Sequence, residues 1–192
     1  PSFVDVEGFG ALGWVSFVPL FVLLRLEVAS RRPFRAIWYG VLYGVLHTLL
    51  GNYWLGTFNL ISLQAVGVIF LGFYVLFMPP TVGLVWLLDR CARRAPETPS
   101  GKVCGFLVVL VPPLAWTVFE IARSSGFLGY PWLLAAHSQY RVPEMIQTAR
   151  IGGVWAVSFI VLLVNALVAE GVLAAMRRRH PGIVDVGVGR GA

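Results

Sequence analysis

Charge is scarce in this sequence. Acidic and basic residues fill 12% of 192 positions, about half the share found in soluble domains. Hydrophobic residues make up 58%, and mean hydropathy is +0.79. A water-soluble fold cannot hide that much apolar surface, so the composition excludes a soluble domain as the main body of the chain. There are only two cysteines, Cys91 and Cys104. They flank a basic, Pro-containing stretch with no His or second Cys pair at metal spacing, which excludes a zinc site and a disulfide framework and leaves two inert thiols. No metal or other cofactor is expected. Low-complexity tracts and an internal duplication are also missing, and the second absence argues against an inverted-repeat transporter. The first residues, Pro1 to Glu7, include neither a Met nor the positive segment of a secretory signal. The chain is therefore expected to begin inside a longer protein.

What is present is a series of long apolar runs. A membrane-spanning helix needs about 20 largely apolar residues, because about 30 Å of hydrocarbon is crossed at about 1.5 Å per residue. Five runs approach that length, at 9–26, 36–55, 60–88, 103–121 and 151–176. They predict an all-α, polytopic transmembrane bundle over residues 1–179, with a short tail at 180–192. The third run is too long for one straight span and contains Pro79 and Pro80. Two prolines remove two backbone donors, so one helix kinked there is expected, with a re-entrant break as the alternative.

Net charge is +6 and the isoelectric point is near 9.9, yet the arginines form short clusters between apolar runs rather than one polar face. That pattern excludes nucleic acid as the partner and reads as a topology signal. Twelve of the fifteen basic residues fall in the first and third connections and the C-terminal segment, leaving Arg123, Arg141 and Arg150 on the other side. The positive-inside bias then places the N-terminus outside, the C-terminus in the cytoplasm, and the connection 123–150 outside. Irregular loops of that length are uncommon unless they fold back or act.

Several residues stand out. Gly40 and Gly44 have the small-xxx-small spacing that admits a neighbouring helix. His47 reads first as a hydrogen-bonded packing residue, although ionisable groups inside a span are functional suspects. Tyr53 and Trp54 fit an interfacial belt. Glu120 and Arg123, at i and i+3, share a helix face as either a boundary ion pair or a functional pair. Glu170 reads as solvated or paired structurally, and Ser158 and Asn165 as groups that bond neighbouring helices. Gly126 to Trp132, followed by His137, Ser138, Gln139 and Tyr140, forms a Gly/Pro turn with aromatic rings and then a polar cluster. By itself it reads as an interfacial segment.

Taken in order, these strings resemble the membrane part of the apolipoprotein N-acyltransferases. The similar features are Glu120 and Arg123 at a helix end, Gly129-Tyr130-Pro131-Trp132, Ser138 with Gln139, and the helix opening Ile151 to Phe159 followed by Asn165-Ala166-Leu167. Weaker similarity reaches upstream through Asn52-Tyr53-Trp54, so it spans about Leu12 to Glu170. The resemblance implies a multi-pass protein of the bacterial cytoplasmic membrane. It further implies a phospholipid acyl donor, a diacylglyceryl lipoprotein as acceptor, and bilayer lipids as surroundings.

In the family, a nitrilase-type hydrolase domain carries Glu, Lys and Cys, and the Cys thiolate forms a thioester with the transferred acyl chain. No stretch here matches that domain, and Val184 to Val188 only faintly echoes its first strand. Cys91, Cys104 and Lys102 fall on the expected cytoplasmic side and cannot supply the triad. The chain by itself is therefore expected to hold no catalytic residue and to be inactive, as a fragment or a split subunit that meets its hydrolase domain separately. Glu120, Arg123, Tyr130, Trp132 and Gln139 are expected as headgroup and portal contacts. Two rival readings are a non-catalytic subunit docking a separate hydrolase and a small permease, the latter weakened by the scatter of His47, Gln64 and Asn165.

Overall fold

The computed structural model describes residues 9–126 and 129–179. Among these there is no strand, and eight α-helices follow in order: α1 Phe9–Leu12, α2 Val18–Ala29, α3 Pro33–Gly51, α4 Leu55–Phe58, α5 Leu60–Arg94, α6 Pro99–Ser124, α7 Pro143–Gln147 and α8 Ala149–Arg179. A 3-10 helix, Ala135–Gln139, sits between α6 and α7. The all-α membrane architecture agrees with the apolar runs, but the count of five helices does not. Three helices, α5, α6 and α8, are long and apolar enough to cross a membrane.

The first run departs most from expectation. Instead of one helix over 9–26, the chain breaks between Leu12 and Val18, and α2 has 12 residues, about 18 Å at helical rise. The break frees backbone groups, and Asn165 of α8 takes them up. Its Nδ2 donates to the Gly13 carbonyl at 2.8 Å and its Oδ1 accepts from Phe17 N–H at 2.8 Å. Asn165 is fully buried, where unpaired backbone groups are costly. Its expected bonding to a neighbouring segment is thus present.

The second run forms α3, which begins three residues early because Pro33 sits in its first turn, where a missing N–H costs nothing. Gly40 and Gly44 lie against α5. A Cβ on Gly40 would sit 2.5 Å from Met78 Sδ, and one on Gly44 2.5 Å from the Tyr74 ring. This close approach requires glycine. The third run is one continuous helix of 35 residues passing through Pro79 and Pro80, so the re-entrant alternative falls. The Thr81 hydroxyl donates to the Phe77 carbonyl at 2.8 Å next to the proline pair. At its start Asn59 caps the helix, its side chain accepting from Ile61 N–H at 2.9 Å.

The core between α2, α3, α5, α6 and α8 is aromatic: Phe17, Phe21, Phe70, Tyr74, Trp116 and Phe119 are all buried in one cluster. Leu76, Leu87, Phe106 and Leu114 point outward and are exposed, as lipid-facing positions require. At the arginine-rich end, Arg25 bonds both Glu170 at 2.7 Å and Asp89 at 3.3 Å, tying α2 to α8 and α5. Glu170 is therefore paired structurally. Across the α5–α6 connection Cys91 and Cys104 form a disulfide with Cα atoms 6.1 Å apart, which corrects the reading of two independent thiols. The adjoining helix ends bring them within bridging range, which the spacing in sequence did not reveal.

Candidate functional site

From Gly129 onward the connection to α8 is folded rather than irregular, and Arg123 holds its first residues. At the end of α6 its Nη1 donates to the carbonyls of Trp132 at 2.6 Å and Tyr130 at 3.2 Å, and its Nη2 to that of Leu133 at 2.8 Å. In return, Tyr130 N–H donates to the Arg123 carbonyl at 2.8 Å. Leu133 is thereby held at a φ of 59°, a left-handed conformation that a branched side chain seldom adopts unaided. The guanidinium, 3% exposed, stacks 5.2 Å from the Phe70 ring and 5.6 Å from that of Phe119.

Glu120 does not close an ion pair with Arg123. Its Oε1 accepts from Ala135 N–H at 2.8 Å, at the first turn of the 3-10 helix. Ser158 Oγ accepts from the next amide, Ala136 N–H, at 3.1 Å. Two orphan donors of a helix start are satisfied by side chains from α6 and α8. Glu120 is fully buried, with the Ser158 hydroxyl, the positive Arg123 and the Trp116 indole as its other polar neighbours. Its Oε2 and Trp116 Nε1 nonetheless lack a bond of full geometry. Ser158, expected to bond neighbouring helices, meets both the 3-10 helix at Ala136 and Glu120 of α6.

Tyr130 ties the loop to the bundle. Its hydroxyl donates to Asn52 Oδ1 at 2.6 Å, Asn52 Nδ2 donates to the Thr48 carbonyl at 2.9 Å, and Thr48 Oγ1 lies 3.0 Å from the Tyr74 hydroxyl. Burial raises the Tyr130 pKa above the usual phenol range, while the positive Arg123 works in the opposite direction. Gln139, also buried, donates from Nε2 to the Gly10 carbonyl and to Ser138 Oγ, both at 2.9 Å, fastening the 3-10 helix to α1.

The folded loop, the α1–α2 break and one end of α3 enclose a cavity of about 490 Å³. Most of its wall is apolar, with a few polar groups at His47, Asn52, His137 and Ser138, the usual make-up of a small-molecule or acyl-chain site. Trp54 and Trp132 stand in the wall with ring centroids 6.0 Å apart. Of the five residues expected at a portal, only Trp132 lines this space. Glu120 and Arg123 stand behind the loop, Tyr130 and Gln139 belong to it, and the bonds of all four hold its shape.

His47, expected as a hydrogen-bonded packing residue, meets its neighbours through ring contacts, with centroids 5.6 Å from Phe17 and 5.9 Å from Trp116; it also faces the cavity. His137 was noted only as part of a polar cluster. Burial, and secondarily the positive Arg123, lowers its pKa below the ordinary imidazole value, so it stands neutral at pH 7. Lys102 and the Cys91–Cys104 pair lie on or beside the α5–α6 connection at the opposite end. Among the described residues no group of three His, Cys, Asp or Glu side chains could hold a metal.

Comparison with known proteins agrees with the resemblance. The family described as "Apolipoprotein N-acyltransferase N-terminal domain" matches residues 3–167. "Apolipoprotein N-acyltransferase 2" of Treponema pallidum is 30% identical over 179 residues, covering 93% of this chain and 29% of the relative. The apolipoprotein N-acyltransferase of Borreliella burgdorferi is 29% identical over 171 residues, covering 88% and 29%. That of Pseudomonas aeruginosa is 29% identical over 165 residues, covering 82% and 30%. The chain thus spans under a third of these relatives' length. No solved structure matches it. The match over most of its length makes this chain a member of the apolipoprotein N-acyltransferase family, corresponding to the N-terminal membrane portion of its relatives.

Proposed function

We propose that this membrane portion receives bilayer-anchored substrates of lipoprotein N-acylation in the cavity under the 129–139 loop and presents them to the family's hydrolase domain. The reaction served is transfer of an acyl chain from a phospholipid to the N-terminal amine of a diacylglyceryl-cysteine lipoprotein. No residue of this portion is proposed as the nucleophile. The observation that carries the reading is the cavity of about 490 Å³, apolar in most of its wall and built on a loop pinned by buried charges. A long acyl chain needs apolar walls, and positioning substrate lowers a barrier only where the walls are fixed.

The proposed setting is the bacterial cytoplasmic membrane, with the loop end outside and the arginine-rich end in the cytoplasm. Support comes from the twelve-to-three division of basic residues and from the Arg25 contacts that gather the ends of α2, α5 and α8 together.

The test is photo-cross-linking in a full-length protein carrying the hydrolase domain. A photoreactive side chain replacing Leu50 or Ser138, both in the cavity wall, is expected to capture a diacylated lipopeptide. One replacing Leu114, exposed on the outer face of α6, is expected to capture bulk lipid only. Equal lipopeptide capture at the two kinds of position would remove the cavity from the function.

A further inference from the structure

At the opposite end of the bundle a second cavity, of about 500 Å³, opens between the end of α2, the α2–α3 connection and the end of α5. Its wall carries four guanidinium groups, Arg31, Arg90, Arg93 and Arg94, and one carboxylate, Asp89. That carboxylate is already engaged. Asp89 Oδ2 accepts from Arg93 Nε at 2.6 Å, and Oδ1 accepts from Arg93 Nη2 at 3.2 Å and from Arg25 Nη1 at 3.3 Å. Among the described residues no carboxylate forms an ion pair with Arg31, Arg90 or Arg94. Three arginines thus line one hollow with no ion-pair partner of their own, its one carboxylate being taken up by Arg93 and Arg25, an arrangement that self-repulsion disfavours unless an anion enters.

The same hollow has an apolar floor. Trp86, Arg90 and Arg94 follow at i, i+4 and i+8 along α5 and share one helix face, with the Arg90 guanidinium 5.3 Å from the centroid of the Trp86 ring. One turn further toward the middle of α5 on that face is Gly83, where an added Cβ would meet nothing within 4 Å. Leu87, beside it, is exposed. Charge at the rim and open apolar surface beneath match an amphiphile standing upright, its anionic head among the guanidinium groups and its chains along α5.

We propose that this cavity is a binding site for the phosphate group of an anionic phospholipid, held by Arg31, Arg90 and Arg94 with Trp86 beneath the headgroup. It lies at the far end of the bundle from the loop cavity and does not depend on the acyl-transfer reading. Phosphate of the same chemistry could also come from a soluble ester, and chain-bearing and chain-free probes separate the two sources.

The purified chain, in a non-ionic detergent, is titrated with phosphatidylglycerol, phosphatidylcholine and sn-glycerol 3-phosphate, and bound ligand is read by native mass spectrometry. The expected result is half-saturation by phosphatidylglycerol at a concentration at least tenfold below that of phosphatidylcholine, with no retained glycerol phosphate in the same range. Replacing Arg31, Arg90 and Arg94 together by Gln should erase the difference between the two lipids. Replacing Arg177, Arg178 and Arg179 by Gln removes as many charges outside the cavity and should preserve it.

Equal binding of the two lipids by the unaltered chain would overturn the proposal, and that comparison needs no variant to fold. So would glycerol phosphate binding as tightly as the lipid. Loss of preference in the Arg177–Arg179 variant would assign the effect to general charge and overturn the site as well. Should the triple cavity variant aggregate, the single Arg90→Gln variant decides, and an unchanged lipid preference there counts against the proposal.

Discussion

Arg123 Nη1 lies 2.6 Å from the carbonyl oxygen of Trp132, and this bond holds the backbone from which the Trp132 ring projects. The side chain of Trp132 is 55% exposed, while the arginine that holds its backbone is buried. Position and contact are thus divided between two residues nine apart in the chain. Truncating each should have a different signature.

Arg123→Ala removes three charge-assisted bonds to loop carbonyls, each worth about 1.5–3 kcal/mol in a buried setting. In a full-length enzyme, N-acylation of a reporter lipoprotein is expected to fall by about tenfold or more, equivalent to about 1.4 kcal/mol of barrier. Arg123→Lys should not restore it, because an ammonium cannot reproduce the planar fork that reaches three acceptors. Activity within twofold of wild type in Arg123→Lys would show that charge alone suffices.

Trp132→Ala leaves the backbone bond available and removes only a cavity wall. Its expected effect is a fall in N-acylation of about tenfold at unchanged protein abundance, with Trp132→Phe retaining most activity because a ring of similar depth still faces Trp54. Reduced abundance in Trp132→Ala, followed by immunoblot, would point to packing instead of substrate contact.

The long helices α5, α6 and α8 were legible because lipid demands long apolar runs, and the Gly40–Gly44 seam because close approach demands glycine. The partners of Arg123 were not, since backbone carbonyls belong to every residue and leave no mark in composition. Glu120 and Arg123 have the spacing of an ion pair, yet each serves the loop. The break before Val18 was invisible for a related reason. What stabilises it is a carboxamide 148 residues away, and the local sequence there still reads as one apolar span. The Cys91–Cys104 pairing followed from the meeting of two helix ends that the short intervening segment did not announce.

That pairing reports on sidedness. Disulfides are not maintained in a reducing cytoplasm, so if the arginine-rich end faces inward, both thiols should be alkylated in cells quenched with acid. The same protein purified in air should become lighter by two hydrogens and lose reactivity toward alkylating reagents. A reporter fused after Arg179 should be cytoplasmic and one inserted near Ser138 external. An oxidised pair in quenched cells, together with reporters of reversed location, would invert the proposed orientation.

Asn165 offers the sharpest test of the fold. Its carboxamide uses both ends, donating to the carbonyls of Gly13 and Val161 and accepting from Phe17 N–H. Hydrophobic replacement by Leu keeps the side chain close in size but strands the buried Phe17 amide at the break, at about 1–3 kcal/mol, and leaves the half-buried Gly13 carbonyl with only the Ser16 hydroxyl at 3.4 Å. Asn165→Leu should therefore lower the thermal midpoint in detergent clearly, even though leucine is the more favourable residue for a helix in lipid. Asn165→Asp separates the two bonds, because an oxygen can still accept from Phe17 N–H while the other faces the Gly13 carbonyl without a donor. Its expected loss in the ionised form is at least as large as that of Asn165→Leu, and smaller at a pH low enough to protonate the new carboxyl and restore a donor. A midpoint in Asn165→Leu equal to wild type would mean that the α1–α2 break is held by packing around Phe17 and not by this carboxamide.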